Sequence, residues 1–243
     1  QSCSYTVADL GPVTATVTAN CGTANTQSSN ISTEAIGLYM VNKVAAKSLD
    51  LTVTATGGTV KGATDGAANQ GTFETFAFGI QAEPTNAGLP TTLTVPGAVN
   101  LQVTATAGTA AEGAAVKNNS AMARGISLGD EKATGTTTAT LGSVTGTVAV
   151  NGVAASGEGS YSAVGISAFN DAHLTTGDVD LTVTGTSTVG NDQDAKLMVG
   201  GLVAIFEDST IQVNGDATIK TAVNPIAGTE GYGTFKAIAL EAA

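Results

Sequence analysis

The stretch LDLTVTATGGT, Leu49–Thr59, sets threonine at every second position of a short run. Alternation with a period of two is typical of a β-strand, whose successive side chains point to opposite faces. It places Leu51, Val53 and Ala55 on one face and the intervening threonines on the other. Close variants return downstream as LQVTATAGT at 101–109 and LTVTGTST at 181–188. The recurrence predicts several strands, each with an apolar face and a hydroxyl-bearing face.

The overall composition also favours strands. The chain has 243 residues, of which 42% are hydrophobic, so it can build a sizeable core. Only 4% are aromatic, while there are 31 glycines and 5 prolines. Small and β-branched side chains suit narrow, regularly stacked interiors. No long stretch shows a 3.6-residue period, so we expect one all-β domain over residues 1–243.

The charge balance is strongly acidic. Nine Lys and Arg against 20 Asp and Glu give a formal net charge of -11, which argues against nucleic acid and anionic lipid as partners because phosphate would be repelled. No run of about 18 apolar residues is present, so we expect no direct membrane insertion. Gln1 is an unusual first residue for a translated chain and no signal peptide is seen, so we expect a processed or trimmed N-terminus.

A second motif, in which alanine, a variable residue and glycine precede isoleucine or leucine, recurs as a marker. It reads AIGL at 35–38, AFGI at 77–80, ARGI at 123–126 and AVGI at 163–166, with looser copies LVAI ending at Ile205 and FKAI ending at Ile238. The intervals between the final residues are 42, 46, 40, 39 and 33, and repeats of this length predict a solenoid or array. We expect Gly79, Gly125 and Gly165 to lie where a tight corner or a close backbone approach excludes a side chain.

Each repeat joins a threonine strand, a loop of small residues, the glycine-containing strand and a third strand. The third strand is TLTV from Thr92, HLTTG from His173 or TIQVNG from Thr210. Three short strands per repeat predict a parallel β-helix of about six degenerate repeats, with strands stacked about 4.8 Å apart and inward side chains in ladders. The Gly- and Ala-rich loops either are external or hide further short strands. A β-sandwich is the alternative, for which NGV at Asn151 and TDG at Thr64 are weak hairpin candidates.

These motifs resemble the passenger region of bacterial autotransporters. The resemblance rests on the alternation of LTVTA-type strands with A-x-G-I strands, and on the turns GDVDLTV at Gly177 and GDATIK at Gly215. It covers nearly the whole chain, although the C-terminal membrane barrel of a complete autotransporter is not in this sequence, so it implies a passenger fragment or a stand-alone relative. The family implies a secreted, right-handed β-helix that works as an adhesin, in aggregation or in biofilm formation.

The two cysteines, Cys3 and Cys21, lie close together near the N-terminus. We interpret them as a local disulfide within an N-terminal capping segment, residues 1–30. A zinc cluster is excluded because His173 is the only histidine. We expect no metal and no cofactor.

No catalytic residue is predicted. Asp171 and Asp178 flank His173 in the sequence, but its place beside Leu174 at a strand end favours a structural role over a catalytic triad. The chain has one arginine, Arg124, whereas polysaccharide lyases set Arg or Lys beside clustered carboxylates. A polysaccharide-active enzyme is therefore a remote alternative.

The nearest carboxylate cluster is the segment NDQDAK, with Asn191, Asp192, Asp194 and Lys196. It could bind Ca²⁺ weakly, but a solvated turn is favoured. Two triplets, NIS at Asn30 and NNS at Asn118, match glycosylation sequons.

The threonine ladders also suggest ice binding. Threonines on stacked strands form a grid of about 7 Å by 4.8 Å, which some ice-binding solenoids use. Gln102 and Ala149 interrupt the grid, so ice binding is a remote alternative.

The sequence predicts a non-enzymatic protein outside the cell, at the cell surface. It would act in adhesion or self-association, with other cell-surface molecules or copies of itself as partners. The alternative function is a self-assembling subunit of an extracellular filament, sheath or surface layer, because the open ends of a β-helix carry unpaired backbone groups.

Overall fold

The structure is a computed structural model that describes residues 10–24, 30–60, 72–84, 89–110, 118–130, 135–152, 158–188, 195–206, 208–226 and 233–242. The regular elements of this part of the chain are β-strands. It contains no helix with the length and hydrophobicity that a membrane crossing needs. In chain order the strands are β1 (Leu10–Asn20), β2 (Thr23–Ala24), β3 (Ile31–Met40), β4 (Lys43–Thr56), β5 (Thr59–Val60), β6 (Thr72–Ala82), β7 (Thr91–Val95), β8 (Val99–Thr106), β9 (Thr109–Ala110), β10 (Asn118–Leu128), β11 (Thr137–Leu141), β12 (Val144–Gly152), β13 (Glu158–Phe169), β14 (Ala172–Thr176), β15 (Val179–Thr188), β16 (Ala195–Ile205), β17 (Thr210–Val213), β18 (Ala217–Ile226) and β19 (Gly233–Ala242).

The strands form three sheets. The first sheet has the order β17-β14-β11-β7-β4-β8-β12-β15-β18, with β1 also paired to β4. The second sheet has the order β19-β16-β13-β10-β6-β3, and the third has the order β2-β5-β9. The two-residue strands of the third sheet show that the loops after β1, β4 and β8 do contain a further short strand.

The described strand pairings are all parallel, and none joins strands that are consecutive in the chain. Asn151, one of the weak hairpin candidates, lies inside β12 and pairs in parallel with Thr186. The alternative of a hairpin-built sandwich is therefore wrong, because hairpins give antiparallel neighbours.

The chain visits the sheets in a repeating order, and we call one such pass a layer. After the second sheet at β6 it passes through the first sheet at β7 and β8 and returns to the second sheet at β10. Each strand of a layer lies on the matching strand of the next, and the second sheet counts six layers. This arrangement is consistent with the all-β parallel solenoid that the repeats predict.

Glycine turns separate the two strands that most layers contribute to the first sheet. Gly177 lies between β14 and β15, and Gly215 lies between β17 and β18, as the sequence predicts. Asp178 joins these two turns, because its Oδ1 accepts a hydrogen bond of 2.9 Å from the backbone N–H of Asp216.

The core lies between the first and second sheets and consists of columns of like residues. In the first sheet one column contains Val53, Val103, Val148 and Val183, each at most 1% exposed. In the second sheet the marker residues form another column, which is Leu38, Ile80, Ile126, Ile166, Leu202 and Leu240.

The first four repeat markers are thus confirmed, and the last two are wrong. Leu202 and Leu240 stack on Ile166, whereas Ile205 pairs with Phe169 and Ile238 pairs with Gly200. The physical reason is the place of Gly201, which occupies the glycine position of its layer. The residue that follows this glycine, Leu202, therefore takes the marker position.

The glycine column explains why these positions lack a side chain. It contains Gly37, Gly79, Gly125, Gly165 and Gly201, followed by Ala239 in the edge strand β19. A Cβ on Gly79 would lie 2.5 Å from the carbonyl oxygen of Gly125, and one on Gly165 would lie 2.7 Å from that of Gly201. The expected close backbone approach is confirmed.

Candidate binding cleft on the outer face of the second sheet

The outer face of the first sheet carries the threonines. Their columns are in register, so that Thr18, Thr54 and Thr104 stack on one another. The same column continues through Ala149 and Thr184 to Ala222. Its neighbour contains Gln102 and Lys220 among threonines. The grid is therefore interrupted at the two predicted positions and at two more.

The outer face of the second sheet carries apolar side chains in two adjacent columns, beside a polar column of Ser32, Glu74, Ser120, Ser160, Lys196 and Thr234. The variable residues of the A-x-G-I motif stack here in a column, which contains Ile36, Phe78, Arg124, Val164, Gly200 and Ile238. An adjacent column sets the half-buried side chains of Phe76, Met122 and Met198 beside it. Arg124 is thus the one charged residue within its column.

Two aromatic rings hold the Arg124 side chain. Its guanidinium carbon lies 4.8 Å from the ring centroid of Phe169 and 6.0 Å from that of Phe78. Nη1 also donates a hydrogen bond of 3.1 Å to the Ser127 hydroxyl. Both rings are only 7% exposed, so the cation–π contacts are largely shielded from water. The Arg124 guanidinium thus packs against two rings and a hydroxyl of the protein itself.

Carboxylates and an amide lie opposite the arginine. Glu83 accepts hydrogen bonds through Oε1 from Gln81 Nε2 at 2.5 Å and through Oε2 from the Tyr39 hydroxyl at 3.4 Å. The Gln81 Oε1 atom is buried and has no hydrogen-bond partner among the described residues. Asp130 enters from a turn in which Gly129 has a φ of 78°, a conformation that favours glycine.

These side chains surround a cavity of about 280 Å³, which we call the arginine cleft. Its lining residues are Phe78, Gln81, Glu83, Arg124, Ser127, Gly129, Asp130 and Phe169.

Several carboxylates lie near the arginine cleft. The pKa of Tyr39 is raised above its ordinary value, first by burial and then by Glu83, Glu34 and Asp130. Among the described residues that line the cleft, Arg124 is the one cation, against the two carboxylates of Glu83 and Asp130. The cleft therefore combines hydrogen-bond acceptors, one donor group and two aromatic rings, which are the components of a site for a polar organic molecule.

His173 lies elsewhere, on the outer face of the first sheet. Its Nε2 is 3.1 Å from Asp171 Oδ1 and its Nδ1 is 3.0 Å from the Thr210 hydroxyl. Asp171 also accepts a hydrogen bond from Thr136, and both Thr136 and His173 lower its pKa. Asp178 does not join this group, since it contacts the Asp216 backbone instead.

The Asp171–His173–Thr210 chain has the residue types of a nucleophile relay. The sequence predicts a structural role for His173, and the structure gives its ring two hydrogen-bond partners, Asp171 and Thr210. The side chains of His173 and Asp171 are 37% and 49% exposed, respectively. Because the chain links β14 to β17 on an open strand face, we interpret it as a brace between neighbouring layers.

Several predicted sites lie outside the described residues. They are Cys3, and with it the Cys3–Cys21 pairing, together with Asn191, Asp192, Asp194 and the turn at Thr64. Cys21 is partly buried, while Lys196 and the sequon residue Asn30 are exposed and Asn118 is partly buried. Within the ranges that the structure describes, no three His, Cys, Asp or Glu side chains are placed to hold a metal ion.

Sequence reasoning missed the arginine cleft. It noted Arg124 only as a lone arginine, although the variable position of the A-x-G-I motif, read down the repeats, already outlines the outward column. The chain matches no protein-family model, no curated protein and no solved structure.

Proposed function

We propose that the chain is a secreted, surface-exposed β-helix of the autotransporter-passenger kind, which acts without catalysis in adhesion or self-association. In this proposal the layers are six coils, and their right-handedness follows from the usual hand of parallel crossovers and from the family resemblance. The observation that carries the proposal is the in-register stacking of outward columns, which produces two long and chemically different faces. Extended repetitive faces suit extended partners such as other surface polymers or copies of the chain.

The outer face of the second sheet is the proposed contact surface. Partly exposed Phe76 and Met122 stack directly on each other beside the arginine cleft, and Met198 follows after Ser162 in the same column. Contiguous exposed apolar surface marks interaction sites on soluble proteins. The threonine face, in contrast, is ordinary solvated strand surface.

The test introduces positive charge on the outer face of the second sheet and, as a control, on the outer face of the first sheet. Beads coated with the Met122→Lys, Met198→Lys double variant should lose adhesion to cells and to one another. The Thr54→Lys, Thr184→Lys variant is the matched control on the first sheet and should retain adhesion. Equal adhesion by both variants, with circular dichroism unchanged, would refute the proposal.

The second candidate function is that of a filament subunit. Open sheet edges support it because they can pair with another copy of the chain. Leu240 in the edge strand β19 is 67% exposed, and edge strands offer unpaired N–H and C=O groups. The Ala239 methyl group argues against direct stacking of a further layer on β19. It occupies the space that the carbonyl oxygen of that further layer would need. Discrete particles in sedimentation and electron microscopy would support the adhesion proposal, whereas spontaneous fibres would favour the filament.

A further inference from the structure

We infer that the arginine cleft binds an uncharged sugar unit of a glycan. The inference deepens the proposed adhesive function and rests on it for its biological use. Its chemistry rests on the charges, the hydrogen-bonding groups and the size of the cleft.

The charges of the described lining residues select against anionic ligands. Among these residues Glu83 and Asp130 together outweigh Arg124 by one negative charge, in a chain of net charge -11, so phosphate, sulfate and uronate groups are repelled. A cationic ligand would ordinarily use aromatic faces, but the Arg124 guanidinium already occupies those of Phe78 and Phe169. The cleft thus favours a neutral polar molecule.

The hydrogen-bonding groups match sugar hydroxyls. The buried Gln81 Oε1 needs a donor, since an unmet buried acceptor costs free energy. Glu83 supplies further acceptor positions, and the Arg124 guanidinium, which donates through Nη1 to Ser127, lines the same cleft with its N–H groups. A hydroxyl both donates and accepts, so neighbouring hydroxyls on one ring can meet both kinds of group.

The size of the cleft limits the ligand further. A cavity of about 280 Å³ lies just below the usual range for small-molecule sites, which begins at about 300 Å³. It suits one sugar ring of a longer oligosaccharide, which would continue along the outer face of the second sheet. An extended glycan bound in this way would contact both the arginine cleft and the proposed contact surface.

The test measures binding of defined oligosaccharides to the full chain. Maltohexaose, cellohexaose and mannohexaose are the neutral probes, and oligogalacturonate and chitosan oligomers are the charged ones. At least one neutral probe should bind in calorimetry and shift the aromatic resonances of Phe78 and Phe169. Glu83→Gln should weaken that binding by about tenfold or more, because it removes a charge-assisted acceptor. Asp180→Asn, an exposed carboxylate on the first sheet, is the matched control and should bind normally.

Three results would overturn the inference. They are binding of no probe, preferred binding of a charged probe, and neutral binding that Glu83→Gln leaves unchanged. Arg124→Gln removes the donor group but can disturb folding, so Glu83→Gln is the deciding variant. If glycan binding fails while the coated beads still adhere, only this inference is lost. If binding holds but adhesion fails, the proposed function is lost instead.

Discussion

At the glycine column the strands of the second sheet lie so close together that there is no room for a methyl group. A Cβ on Gly125 would contact the Gly165 carbonyl oxygen and lie 3.0 Å from Val148 Cγ2 in the facing sheet. Gly125→Ala should therefore lower the free energy of unfolding by about 1–3 kcal/mol, as overpacking does. Urea denaturation measures the change.

Ala239 offers the matched control for that substitution. It occupies the glycine position in the edge strand β19, where the chain itself carries the methyl. Ala239→Gly should change the urea midpoint little. Equal midpoints for Gly125→Ala and the unmodified chain would contradict the close approach of the strands.

Asp171 gives the molecule a pH dependence of known sign. Its pKa is lowered, first by the Thr136 hydrogen bond and then by His173, so its contribution to stability is present above its unfolded pKa of about 3.9 and is lost as the pH falls through the folded value. Asp171→Asn should unfold at lower urea than the unmodified chain at neutral pH, and the difference should shrink below about pH 4. The effect should be small because about half of the carboxylate side chain is exposed to solvent.

The control for this series is Asp180→Asn, which removes an exposed carboxylate without a described side-chain partner of this kind. Urea midpoints would be compared across the same pH range for all three proteins. A deficit of Asp171→Asn that grows on acidification would contradict the sign.

At the scale of the strand, prediction from sequence succeeds where the information is local. Threonine alternation is visible within one segment, and β4, β8 and β15 form where it predicts. The last two repeat markers fail because their register depends on Gly201 and Ala239 meeting a neighbouring strand. The arginine cleft escapes prediction for a similar reason, since its residues come from several layers and its rim needs the positive φ of Gly129.

Because the inward residues stack in columns, removing one of these side chains should weaken the packing of the residues in the layers on either side and lower the stability. Leu101 is 1% exposed and lies between Leu51 and Gly146 in its column. Leu101→Ala should cost about 2–5 kcal/mol of unfolding free energy, since it leaves a cavity that rigid layers cannot close. Leu240, at 67% exposed, is the control, and Leu240→Ala should cost less than about 0.5 kcal/mol. Similar losses from both variants in urea denaturation would contradict the column.

At the scale of the whole molecule, stability passes from layer to layer. Each layer contacts mainly its neighbours, so that no layer buries its inward face alone. The same stacking determines function in our account, because it aligns the outward columns into the proposed contact face and brings Glu83 and Arg124, from different layers, into one cleft. Shape and recognition therefore depend on a common register.

The most direct test of this register is a set of spin-label distances along one exposed outward column. Ser32, Glu74, Ser120, Ser160, Lys196 and Thr234 occupy successive layers of the second sheet. With Ser32 as the fixed label, and Cys3 and Cys21 replaced by serine, pulsed electron paramagnetic resonance should give about 14, 19 and 24 Å to positions 160, 196 and 234. A rise of about 4.8 Å per layer is the predicted result. Distances that fail to grow with layer number would contradict the account.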